Sequence, residues 1–133
     1  MKDITEAIFE VKLARDSKTG TVIAEHWLLN GKGHSPASNR PSTILSDPDG
    51  RPLTLIWKKE GVPHCDTGPA WIDFDPETGV HIRETYFKDG KCHRDGRQPA
   101  RIERDPVSGE ITQLRYFENG KERFWRSVPT VAP

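Results

Sequence analysis

The stretch GPAWIDFDPETGVHIRETYFKDGKCHRDG, Gly68–Gly96, decides the fold, because the chain repeats its plan immediately afterwards. From Gln98 the sequence QPARIERDPVSGEITQLRYFENGKER passes through the same marks. In the quoted stretch Ala70, Ile72 and Phe74 fall on alternate positions, the period-two pattern of a half-buried strand. VHIRETYF, rich in β-branched and aromatic residues, suits a pleated surface. Between them lies Asp75-Pro76-Glu77-Thr78-Gly79. Proline presets φ, aspartate caps the turn with its side chain, and glycine supplies the positive φ that closes a hairpin. Asp89-Gly90 then predicts a second, tighter turn.

The register extends in both directions. An aromatic recurs at Trp27, Trp57, Tyr86 and Tyr116, at spacings of 30, 29 and 30 residues. Four residues after each comes Gly31, Gly61, Gly90 or Gly120. Three further on stand His34, His64 and His93, with Arg123 in the last copy. Pro41, Pro69 and Pro99 follow, then Asp47, Asp75 and Asp105, then Gly50, Gly79 and Gly109. Asp16 and Gly20 precede Trp27 by the same ruler. Many independent positions keeping step together mark a true internal repeat. The 133-residue chain divides into a partial copy at about 9–40, copies at about 41–68, 69–98 and 99–126, and a tail at 127–133. The expected fold is all-β: a single elongated, twisted antiparallel sheet, a meander of about eight strands with no significant helix. Thr5 to Phe9 can be read as helix, but the Phe9, Val11, Leu13 alternation favours a strand.

Two parts, YFKDGKCHRDGRQPA with the looser IWKKEGVPHCDTGPA, and the Asp-Pro-x-Ser/Thr-Gly hairpin, together resemble the MORN-variant type of repeat in its bacterial and viral form. The resemblance covers about Asp16 to Arg123. It implies an elongated twisted antiparallel sheet, often dimeric, used as a binding surface. GHSPASNRPS in the first copy lacks the Gly-Pro-Ala, and GKERFW in the last lacks the histidine, so these ends read as capping units.

Composition excludes several classes. Twenty basic and twenty acidic residues give no net field to attract nucleic acid or an acidic membrane. No long apolar run and no signal-type segment appear, which predicts a cytoplasmic protein with no membrane partner. Cys65 and Cys92 are too few for a disulfide framework.

The periodic residues admit chemical and architectural readings. Equivalent histidines of adjacent copies would lie roughly 10 Å apart, two strand spacings, too far to share one metal. His34, His64 and His93 are therefore expected to hydrogen-bond turn backbone within their own copy. The same distance disfavours a Cys65–Cys92 disulfide. Asp47, Asp75 and Asp105 precede or enter turns and are read as turn caps. No catalytic residue, metal or cofactor is expected. The aromatics are the partner-binding candidates. Trp27, Trp57, Tyr86 and Tyr116 should form a row on one face. Leu28, Phe87 and Phe117 follow on the other, with Lys58 breaking that row. Trp71 and, outside the period, Trp125 complete the set. The expected function is a non-enzymatic protein-interaction module, a small inhibitor, immunity or phage anti-defence protein that occludes another protein. The alternative is a homo-oligomeric structural protein, a homodimer in its simplest form. Metal binding and lipid-surface binding are weaker readings.

Overall fold

The computed structural model describes residues 6–37 and 39–124. Fourteen strand segments run in order: β1 Phe9–Arg15, β2 Val22–Leu29, β3 Lys32–Gly33, β4 Thr43–Ser46, β5 Pro52–Ile56, β6 Lys58–Lys59 and β7 Val62–Pro63. They continue as β8 Trp71–Phe74, β9 His81–Thr85, β10 Phe87–Lys88, β11 Lys91–Cys92, β12 Arg101–Arg104, β13 Ile111–Glu118 and β14 Lys121–Arg123. No helix occurs among the described residues. The main sheet is an open antiparallel meander in the order β1-β2-β4-β5-β8-β9-β12-β13-β14, with β3 paired to β2. The alternation at Phe9, Val11 and Leu13 does form a strand, β1.

Each copy contributes two hairpins of different kinds. The long hairpins, such as β8–β9, turn at the Asp-containing loops. Their register slips by one residue beside each turn, between Asp73 and Phe74 for example. The short hairpins are β2–β3, β6–β7, β10–β11 and β13–β14. Their turns carry paired positive φ values, 49° and 88° at Glu60 and Gly61, and 49° and 82° at Asp89 and Gly90. That is the primed two-residue turn whose twist matches antiparallel strands. In the inner copies the strand breaks at Trp57 and Tyr86, between β5 and β6 and between β9 and β10. The strand count therefore exceeds the expected eight, because the short hairpins add strands to the eight of the long hairpins.

The two hairpin rows meet at a small residue. Ser42, Ala70 and Ala100 are each 0% exposed. Ala70 donates its amide to the Thr85 carbonyl and accepts from the Trp57 amide. This position is fully buried and carries only serine or alanine in the three copies. Ser42 also bonds the Ile56 carbonyl through its hydroxyl. It is thus the first copy's counterpart of the alanine. Around this joint Ile56, Ile72 and Ile102 form the thin core.

Candidate functional site

The periodic histidines fasten each copy to the next. Nδ1 of His34, His64 and His93 accepts the backbone N–H of Glu60, Asp89 and Asn119, at 3.1, 2.9 and 2.9 Å. Each acceptor belongs to one copy and each donor to the next. This corrects the expectation of a bond within the same copy: the tight turn that receives the histidine is its neighbour's. Backbone bonds run beside it, from Gly61, Gly90 and Gly120 amides to the Gly33, Pro63 and Cys92 carbonyls. An amide can only donate, so Nδ1 carries no proton and Nε2 does. At His64 and His93 that Nε2 faces Asp66 at 3.0 Å and Asp95 at 2.7 Å. Both ring nitrogens are thereby engaged. The hydrogen bond from His93 holds the Asp95 carboxyl below its usual range. His34 has Pro36 where the others have aspartate, and packs its ring 6.0 Å from Phe9.

After each histidine the chain loops back to the joint, and successive loops enclose a recess over the periodic aromatic. The recess between copies two and three has a volume of about 430 Å³ and is floored by Tyr86 and Phe87. Cys65, Asp66 and Thr67 form one wall, with Arg94, Asp95 and Gln98 opposite. The recess between the first two copies measures about 180 Å³ and is floored by Trp57 and Lys58, with Ser35 and Cys65 on its walls. The two are the same feature one repeat apart.

The aromatic row follows the expected alternation, but no ring stacks on the next one along it. Trp27 packs edge-on to Phe9 at 6.0 Å, bonds Glu25 through Nε1, and lies 5.1 Å beneath the Arg40 guanidinium. Arg94 stacks on Tyr86 at 3.9 Å and donates to the Pro99 carbonyl. Trp57 has neither device. Leu55 stands where Glu25 serves Trp27, and the buried Trp57 Nε1 has no acceptor. Tyr116 is half-buried. On the opposite face Trp71 bonds Asp73 and meets Phe87 at 6.4 Å, while Arg115 covers Phe117 at 5.2 Å. Trp125 lies outside the described residues.

Asp47, Asp75 and Asp105 cap their own long turns, as Asp16 does, by accepting amides two to four residues on. The cysteines are free thiols. Burial pushes the Cys92 thiol up to about 11, whereas Cys65 lines both recesses. Among the described residues no three His, Cys, Asp or Glu side chains converge as a metal site would require, and no helix is long and apolar enough to cross a membrane.

The recess walls, Cys65, Asp66, Arg94 and Asp95, escaped the sequence reading. Their signal is the variable pair behind each histidine: Ser-Pro, Cys-Asp, Arg-Asp. Compared with known proteins, the chain matches no family model, no curated protein and no solved structure.

Proposed function

We propose that the chain is a non-enzymatic protein-interaction module of the MORN-like repeat kind, which engages another protein through the recesses between successive loops. One observation carries this reading: the repeat holds its scaffold residues constant and varies the recess lining. Histidine, turn glycine, proline and the small joint residue recur. The recess positions change from Lys58 to Phe87 and from Ser35 through Cys65 to Arg94. Repeat proteins recognise partners in this way, with a common frame displaying different side chains along one surface. A small protein of this build acts by covering a partner's surface, which suits an inhibitor, immunity or anti-defence role.

The test uses substitutions borrowed from the two preceding copies, which the frame already accommodates. Wild type and the double variant F87K/R94S, which gives copy three the residues of Lys58 and Ser35, are compared as affinity baits in native lysate. The expected result is a specific protein retained by wild type and lost by the variant at unchanged thermal midpoint. Equal retention by both, or no specific protein on either, overturns the reading.

A further inference from the structure

The sheet is open, and β1 is one of its edges, with β2 as its single neighbour among the described residues. Val11 stands opposite Trp27. Trp27 donates its amide to the Ser42 carbonyl and accepts from the His34 amide, both away from β1. Residues facing each other in an antiparallel pair either both bond inward or both point away. The N–H and C=O of Val11 therefore point outward, and those of Phe9 and Leu13 with it. Val11 and Leu13 are 41% and 50% exposed, on the same face as each other. Such an edge is normally blunted by proline, a central bulge or a row of charge. The β1 bulge lies at its far end, between Ala14 and Arg15.

We propose that β1 pairs with β1 of a second copy, antiparallel across a two-fold axis, with Val11 opposite Val11. This register places Glu10 opposite Lys12 twice and Phe9 opposite Leu13 twice. Both exposed charges are matched on one face and the apolar residues on the other. Among the described residues neither Glu10 nor Lys12 has an ion-pair partner within the chain. Registers that keep outward residues opposite one another differ by two. One such slip sets Glu10 against Glu10, and the slip in the other sense sets Lys12 against Lys12. Like charges directly opposite are destabilising. The sequence of β1 is thus self-complementary in one register and self-repelling in those on either side.

The remaining occupant would be the far edge of another copy, formed by β14 and the first half of β13, extending the repeat into an open filament. β1 departs from the internal copies where that seam is made. Val11 holds the position of the fully buried Ser42, Ala70 and Ala100. In the internal register Lys12 would also face Arg115, as Arg101 faces Thr85. Bulk and charge both oppose continuation, so the pairing closes as a dimer. It uses the edge and leaves the recesses as they are, so it stands independently of the function proposed above.

Sedimentation velocity from about 1 μM to about 1 mM covers the range of a modest dimer. The expected mass rises from one chain to two and stops there. V11P removes an outward N–H that bonds nothing among the described residues and should give a monomer with the wild-type fold. E10K should weaken the dimer about tenfold, through two pairs turned repulsive. The charge-exchanged E10K/K12E should restore it to within about threefold, which a merely structural role for either residue would not do. A wild type monomeric throughout, a mass growing beyond two chains, a dimer that V11P and E10K leave unchanged, or no restoration in E10K/K12E overturns the proposal.

Discussion

The long-hairpin turns and the short-hairpin turns solve the same problem in opposite ways. Each long turn is sealed chiefly from inside. Asp75 takes the amide and hydroxyl of Thr78, and Asp105 the amides of Val107 and Ser108. Contact with the next long turn rests on one threonine hydroxyl, Thr19 to Pro48 and Thr78 to Pro106. Each short turn after the first is sealed from outside, by the histidine and a carbonyl of the preceding copy. Local caps make each copy a unit, and the histidines make the units a row. The loops that form the recesses grow from the second kind of turn, so the binding surface rests on bonds between copies.

The largest effect should come from the joint where both rows meet. Ala70→Leu forces a larger, branched side chain into a fully buried site. A loss of about 3 kcal/mol is expected, the upper range for overpacking, seen as a lowered denaturant midpoint. If both rows loosen together in hydrogen exchange, the joint couples them; loosening of one row alone would separate them.

Glycine substitutions sharpen the contrast at the turns. Gly79 and Gly90 both have positive φ, but a Cβ on Gly79 meets nothing, while one on Gly90 comes 3.0 Å from Val62 of the preceding copy. Gly79→Ala should cost about 1 kcal/mol, the left-handed backbone alone. Gly90→Ala should cost about 2 kcal/mol, because Val62 must also give way. Equal costs would mean that the short turns are not seated on their neighbours.

His64→Ala takes the acceptor from the Asp89 amide one copy away. The expected cost is about 1 kcal/mol. The diagnostic is faster amide exchange at Asp89, with the Asp75 turn unaffected.

The smallest effect is acid-dependent. The Thr19 amide on Asp16, the Arg51 amide on Asp47, the Thr78 hydroxyl on Asp75 and the Ser108 amide on Asp105 hold these carboxyls below their ordinary range. Their stabilisation is complete above the unfolded-state value, about 3.9, and is lost as pH falls through the lower folded values. Urea midpoints should therefore decline below about pH 4. Asp75→Asn should flatten that decline without altering the midpoint's dependence on His64.

Much of this architecture is legible in the residues because it is local. Asp-Pro-x-Thr-Gly and Asp-Gly specify their turns within five residues, and alternation specifies the strand between them. The row of Trp27, Trp57, Tyr86 and Tyr116 followed from the same period. What escaped is non-local. A histidine every thirtieth residue announces a repeated role but not the direction in which its ring points. The variable residues behind it look like loop filler until two loops lie side by side.

By itself, then, the sequence determined the repeat, the antiparallel meander and the turns, because each rests on backbone preferences spanning a few residues. Only the tertiary structure decided that the histidines bridge copies, that Ala70 and its equivalents are fully buried, and that paired loops enclose recesses. Those features depend on the distance between segments 15 to 26 residues apart, which strand pairing sets and no single copy contains.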